Sequence, residues 1–379
     1  MKFIIQRDYL LRSVQDVMKA VSSRTTIPIL TGIKIVANES GVTLTGSDSD
    51  ISIESFIPLE HEDLEIVELV KSGSVVLQAR VFSEIVKKLP KESVEIDVQN
   101  HFLTIIRSGK AEFNLNGLDA EEYPLLPQVE ENDAFQVPSD LVKQLIRHTV
   151  FAVSTSETRP LLTGVNLKIE NNELTCIATD SHRLALRKAR IDLNTTDVSY
   201  NIVIPGKSLN ELNKILDDSN DPVDIVITEN QVLFKTKHIL FFSRLLEGNY
   251  PDTSRLIPEE SNTEIKVSAK EFLQAIDRAS LLAREDRNNV VKLAILEGGI
   301  IEISSNSPEI GKVIEEVQSQ SISGEDLKIS FSSKYMLDAL KVLGETDINI
   351  NFTGAMRPFV IRPLHDDSIL QLILPVRTY

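Results

Sequence analysis

The chain of 379 residues holds a single cysteine, Cys176. That excludes an internal disulfide framework and a cysteine-based zinc site, and it points to a reducing, cytoplasmic setting. Positive charge is also short: 40 Lys and Arg stand against 56 Asp and Glu, a net charge of −16. Such a chain repels nucleic acid on average, so any DNA contact must come from a locally basic surface. No stretch approaches the roughly 18 uncharged apolar residues that would span a membrane. The opening MKFIIQRDYLLRSVQ is interrupted by Arg7, Asp8 and Arg12, unlike the apolar core of a secretory signal. None of the six histidines stands in HExxH or a similar ligand spacing, and neither GxxxxGK[ST] nor GxGxxG occurs. No metal, cofactor or catalytic residue is therefore expected. Asp180, Ser181 and His182 are consecutive, and three neighbours cannot relay Asp to His to Ser in the geometry a triad needs. Cys176 lies in the apolar run LTCIA and is expected to be a small buried hydrophobe.

What is present is repetition. Residues 25–33 read TTIPILTGI and residues 158–165 read TRPLLTGV, which sets Pro28 and Pro160 132 positions apart. The same offset carries Gly46-Ser47-Asp48-Ser49-Asp50 onto Ala178-Thr179-Asp180-Ser181-His182, and a further 126 carries Thr179-Asp180-Ser181 onto Ser305-Asn306-Ser307. Each third opens on an extended segment and an amphipathic helix. Leu10, Val14, Val17 and Val21 mark the first, Leu141, Leu145 and Ile146 the second, and Phe272, Ile276 and Ala279 the third. A later helix follows in each third, then period-2 alternation such as Val94, Ile96, Val98. The pattern is β-α-βββ twice per third, too rich in hairpins for parallel βαβ units. An α+β architecture of three repeated domains is expected, each with two helices packed on antiparallel sheets. Polar segments at 129–133 and 257–263 set the domains at 1–129, 130–257 and 258–379.

The six expected helices are 6–20, 80–89, 139–150, 207–217, 269–284 and 332–343. They carry fifteen basic and nine acidic residues, a net +6 that leaves −22 for the rest of the chain. Helix propensity favours Glu as much as Lys, so it does not account for the sign. A basic helical layer on an acidic body suits a polyanion held on one side. Helices packed about 8–10 Å apart, twelve to a ring, leave a hole of about 25 Å, which passes a duplex about 20 Å across. Six helices would leave under about 10 Å, so a DNA ring built from this chain needs at least two copies.

TIPILTG, TDSHRLA, EGNYPDT and the terminal LILPVRTY together resemble the bacterial DNA sliding clamps, the β subunits of the DNA polymerase III holoenzyme. The resemblance covers the whole chain, and SSRTTIPILTG and the RTY ending are similar to Bacillus-like Gram-positive members. It implies a clamp fold and a head-to-tail homodimeric ring with the helices inside. Such a protein is no enzyme. It confers processivity by encircling double-stranded DNA without regard to sequence. The implied DNA contacts are Arg24, with Lys19, Arg80, Lys143, Arg147, Arg159 and Lys207 as further candidates. The resemblance also implies a partner-peptide pocket between the second and third domains. One part is Leu162, Thr179, Ser181, His182, Arg183, Leu184, Pro251 and Leu256. The other is Tyr335, Met356, Pro358, Leu372, Leu374, Pro375, Val376 and Arg377. The polymerase III alpha subunit, the clamp loader, and repair and translesion proteins would dock there through short linear motifs. Phe113 and Leu115 of one subunit would meet Leu281 and Leu282 of the other. As bare sequence, AEFNL is an amphipathic edge strand that needs cover. The implied location is the cytoplasm, on the nucleoid.

Two other readings compete. A peptide-binding repeat scaffold without DNA encirclement would bind partners even after charge reversal at Arg24 and the helix faces. A hydrolase using Asp180 and His182 would show turnover that His182→Ala removes.

Overall fold

Each amphipathic stretch is a helix in the computed structural model, which describes residues 1–22, 25–126, 129, 134–191, 199–285 and 289–377. Helix α1 spans Arg7–Val17, α2 Ala79–Lys88, α3 Ser139–Arg147, α4 Gly206–Ile215, α5 Ala269–Glu285 and α6 Ser333–Leu343. All six follow directly on a strand, and three antiparallel strands follow each of them. Side-chain caps make some of these abrupt turns from strand to helix. Gln78 Oε1 accepts the N–H of Val81 at 3.0 Å, and the Ser332 hydroxyl accepts that of Tyr335 at 3.5 Å. Helix α6 is ended by Gly344 at φ 74°, where a side chain would be strained.

Two compact units result, Met1–Val142 with Asn210–Leu245, and Lys143–Leu209 with Leu246–Tyr379. In the first, strands of the middle third join those of the first. Ile239–Arg244 pairs antiparallel with Ile51–Pro58 and completes an eight-stranded sheet among the described residues. A five-stranded sheet beside it runs from the edge strand Ala111–Asn116 to Val67–Lys71. In the second unit, Arg183–Arg190 pairs with Ile369–Ile373, so the middle and last thirds share one nine-stranded sheet. A four-stranded sheet there begins at the edge strand Gly311–Gln318. The middle third is thus divided between two sheets that it shares with its neighbours.

Cores form where helices cover these sheets. In the second unit Phe272, Phe331, Met336, Phe352 and Phe359 are completely buried in one cluster. Truncating Phe272 or Phe331 to alanine there costs about 3–5 kcal/mol. Four strands lie outside the sixfold pattern: Glu60–His61, Leu64–Glu65, Val67–Lys71 and Ser321–Gly324. The last two pair with Lys2–Gln6 and Thr263–Ser268, the strands that open the first and last thirds. They are edge additions, and a search for repeats passes over them.

Candidate functional site

The turn after strand Glu173–Thr179 organises the expected pocket. Asp180 Oδ1 accepts the N–H groups of His182 at 2.9 Å and Arg183 at 3.1 Å, and the Thr179 hydroxyl donates to the Arg183 carbonyl at 2.5 Å. Asp180 Oδ2 also accepts from Arg183 Nε at 3.0 Å, so this carboxylate holds both the turn and the arginine. The Thr179 N–H donates to the Tyr250 hydroxyl at 3.1 Å, which ties the NYP segment to the turn. Burial pushes the Tyr250 phenol up to about 12, so it is neutral at physiological pH.

Strand alternation sorts the neighbours. Leu184 faces Leu372 across the sheet, and both belong to an apolar cluster on which Ile257 and Leu374 pack. Leu374 is held by its N–H to the His182 carbonyl at 2.9 Å, and Val376 by its N–H to the Ser330 carbonyl at 2.7 Å. Pro375 bridges to Phe331. The His182 ring stacks on Tyr335 of α6 with centroids 6.3 Å apart and planes at 17°. Leu162, Thr179, Leu184 and Leu372 are buried, whereas Ser181, His182, Pro251, Leu256, Met356 and Arg377 are exposed. The expected residues therefore divide into a floor and a rim. Met356 and Pro358 lie on the loop between strands Asp347–Phe352 and Phe359–Pro363. An open cleft of about 1340 Å³ along the sheet, bordered by Lys188, Arg190, Tyr250 and Arg362, meets the expected residues at Pro251 and the apolar floor at Ile257.

Sequence reasoning missed Ile257, which packs on the floor, and Phe151 and Asp338, which hold Arg183. Asp338 stands three residues beyond Tyr335 on α6, a same-face spacing that could have flagged it.

The candidate DNA residues fare unequally. Arg24 lies outside the described residues. Arg80, Arg147, Arg159 and Lys207 are exposed. Lys143 is only 6% exposed. Its helix presents Arg147 to solvent and turns Lys143 inward. Lys19, in the 3-10 turn Met18–Ala20 that follows α1, is paired with Asp16 of α1 at 2.8 Å. Other helix cations are likewise matched, Lys87 with Glu84, Lys214 with Glu211 and Lys270 with Glu345. Asp16, Glu84 and Glu211 are already in the helix count, so of these pairs only the one with Glu345 lowers the net +6. Arg159 Nη1 donates to the Ser181 hydroxyl at 3.0 Å, which places a candidate DNA residue against the pocket rim.

Phe113 and Leu115 lie half-buried on the edge strand Ala111–Asn116. Leu281 is 59% exposed on α5, and Leu282 is half-buried beside it. Ile310 and Ile314, missed in the sequence, are 56% and 50% exposed at the edge strand Gly311–Gln318. Arg278 of α5 grips Glu315 on that strand through two bonds of 2.8 and 2.7 Å, which hold the Glu315 carboxyl below its usual range. Among the described residues no group of His, Cys, Asp and Glu could hold a metal ion. Nor is any helix among them long and apolar enough to cross a membrane.

Residues 1–127, 136–252 and 254–377 match the N-terminal, central and C-terminal domain families of the DNA polymerase III beta subunit. Over 379 residues the chain is 72% identical to the beta sliding clamp of Bacillus subtilis, with 100% of both chains covered. It is 59% identical over 380 residues to the beta sliding clamp of Halalkalibacterium halodurans, again with 100% of both covered. The crystal structure of the DNA polymerase sliding clamp from Bacillus subtilis matches at a TM-score of 0.97, with 72% identity and 100% of each chain. Three repeated clamp domains define the class: a DNA sliding clamp, an accessory subunit of polymerase processivity and not itself a catalyst. The chain belongs to the DNA polymerase III beta subunit family, the beta sliding clamps.

Proposed function

We propose that two copies of this chain close head to tail into a ring around duplex DNA and hold the replicative polymerase there. The observation that carries this reading is a pair of open, unlike edges. Ala111–Asn116 ends one sheet, and Gly311–Gln318 ends another with Ile310, Ile314 and Leu281 exposed nearby. Two different complementary edges pair heterologously, and a heterologous contact that closes makes a ring. Phe113 and Leu115 would then meet Leu281 and Leu282. The domains are read as 1–129, 130–257 and 258–379.

Tethering by topology needs no strong DNA affinity, which fits a chain of net charge −16 with scattered exposed cations. Arg24, Arg80, Arg147, Arg159 and Lys207 are the proposed phosphate contacts. The groove around Leu184, Leu372 and Tyr335 would take short linear motifs of the polymerase alpha subunit, the clamp loader, and repair and translesion polymerases. Aliphatic walls and an exposed Met356 suit a groove that accepts several sequences. The working location is the cytoplasm, on the nucleoid.

The test is retention. Protein loaded on a nicked circular plasmid should co-elute with it in gel filtration and be released once the plasmid is cut. Equal retention on circular and linear DNA would reject encirclement and favour a scaffold that binds without it.

A further inference from the structure

Three large aliphatic side chains of the first repeat stand in solvent around one small core cluster. Ile27, Leu118 and Leu125 are 46%, 51% and 89% exposed. The cluster they border is Ile29, Leu30, Val76, Ala120 and Tyr123. The Ile27 carbonyl accepts the N–H of Leu30 at 3.0 Å. Leu118 exchanges two bonds with Val76, donating its N–H at 2.9 Å and accepting at 3.0 Å. Leu125 follows Tyr123 across the exposed Pro124. Backbone bonds thus fix where Ile27 and Leu118 stand, and their side chains remain outside the cluster.

The second repeat shows that the fold does not demand this. Pro28 aligns with Pro160 and Tyr123 with Tyr250, so Ile27 corresponds to Arg159 and Leu125 to Asp252. The backbone frame is the same. The Leu162 N–H donates to the Arg159 carbonyl at 3.0 Å, and the Leu246 N–H to the Val203 carbonyl at 2.9 Å, as Leu118 does to Val76. Yet here the two side chains are polar and tied down. Arg159 donates to the Ser181 hydroxyl at 3.0 Å, and Asp252 accepts the Ser254 N–H at 3.0 Å and its hydroxyl at 2.7 Å. Exposed aliphatics gathered where the same frame accepts polar residues mark a contact surface.

Charge indicates what the surface accepts. Asp119 Oδ1 takes the Glu121 N–H at 3.0 Å and so caps the turn Ala120–Glu122. Glu121 and Glu122 are exposed between Leu118 and Leu125, and neither pairs with a cation among the described residues. Such a rim repels nucleic acid and attracts basic groups. We propose that Ile27, Leu118 and Leu125 form a docking surface for a partner protein, one that offers an amphipathic segment with an apolar face flanked by Lys or Arg. The aliphatic residues receive the apolar face, and the two glutamates set its orientation and speed its arrival. This surface lies in the unit that begins at Met1, whereas the groove described above lies in the other unit. It does not depend on ring closure.

The probe that tests this is a fluorescently labelled peptide of leucine and lysine only. It is about 14 residues long, with leucine at i, i+3, i+4 and i+7. Its affinity for the full-length protein is read by fluorescence anisotropy. Leu118→Ser with Leu125→Ser should weaken binding about tenfold or more. Glu121→Gln with Glu122→Gln should weaken it too and flatten its dependence on salt. Glu259→Gln with Glu260→Gln, an exposed acidic pair of the other unit, should leave it unchanged. So should Leu256→Ala with Met356→Ala at the groove. Equal weakening by the two acidic pairs would mean that the peptide reads only the net charge of −16, and would overturn the proposal. Loss in the groove variant with full binding in the Leu118→Ser, Leu125→Ser variant would seat the peptide in the groove, and would overturn it as well. Sedimentation tests the other occupant, because Leu118 lies two residues beyond the edge strand Ala111–Asn116. The Leu118→Ser, Leu125→Ser protein should keep the mass of the wild type. A fall to monomers would mean that a second copy covers these side chains, and a partner site there would be excluded.

Discussion

Ser181 holds φ at 79°, in the left-handed region, at the rim of the groove. A side chain there costs about 1–2 kcal/mol, and the turn is kept by the Ser181 N–H to the Thr179 hydroxyl at 3.1 Å and by the Arg159 bond. Glycine relieves the strain but gives back part of the gain as unfolded-chain entropy. Ser181→Gly should therefore raise stability by up to about 1 kcal/mol, seen in calorimetry as a small upward shift of the second unit's transition. A drop would mean that the Arg159 bond outweighs the strain. Cys176 offers a cleaner test. Burial pushes its thiol up to about 12, so almost no thiolate exists at neutral pH. Native protein should not react with a disulfide reagent at pH 8, whereas the unfolded chain should form a mixed disulfide at its one cysteine and displace one equivalent of the reagent's own thiolate. Rapid reaction of the native protein would contradict the burial. This burial could be read from LTCIA alone, because an apolar alternating run leaves the thiol nowhere polar to go. The inward turn of Lys143 could not, because a charge count along a helix does not say which cations face solvent.

At the scale of elements, the sixfold β-α-βββ pattern is legible because helix and strand periods are local properties. Each helix begins and ends within a few residues of its expected limits, and side-chain caps start α2 and α6. Sheet partnership is not local. Nothing in ILFFSR says that Ile239–Arg244 will pair with Ile51–Pro58, more than 180 residues earlier. Nor does the sequence tie Arg278 to Glu315 or Arg183 to Asp338, because those pairs exist only once helices lie on sheets. The groove residues were named through resemblance, and spacing alone identified none of them. Edges, by contrast, can be tested as elements. Leu281 is largely exposed in the protomer, so truncating it removes association energy at little cost to the fold. Leu281→Ala with Leu282→Ala should shift sedimentation from dimer to monomer, since each leucine buried on association is worth about 2–5 kcal/mol. Ile314→Lys should do the same by setting a charge on the open strand. A dimer of unchanged mass in both variants would reject this edge as the interface.

For the molecule as a whole, two histidines in different units set a common response to pH. Burial lowers the affinity of His148 for protons, and Arg187 adds to this, against the opposing influence of the Gln144 and Val342 carbonyls and the charge of Asp366. Burial also lowers His238, helped by Lys237, His61 and Arg12, and its ring meets that of His61 edge-on at 6.2 Å. Each folded-state value lies below the unfolded value of about 6.5, so the unfolded chain binds these protons more readily. The stability these histidines contribute is complete above about pH 6.5 and is lost as pH falls through their folded values. Glu315 and Asp217, whose carboxyls are depressed by hydrogen bonds from Arg278 and Ser219, fail in a separate window, below about pH 4. Half-buried Glu54 is raised and works in the opposite sense. Urea unfolding at pH 7.5 and 5.5 should therefore show both units weakened at the lower pH, well before the carboxylates protonate. His148→Gln should flatten the dependence of the unit beginning at Lys143, and His238→Gln that of the unit beginning at Met1. Equal midpoints at the two pH values in the wild-type protein would mean that both rings take up protons in the folded state as easily as in water. The burial on which the argument rests would then be wrong for each unit independently.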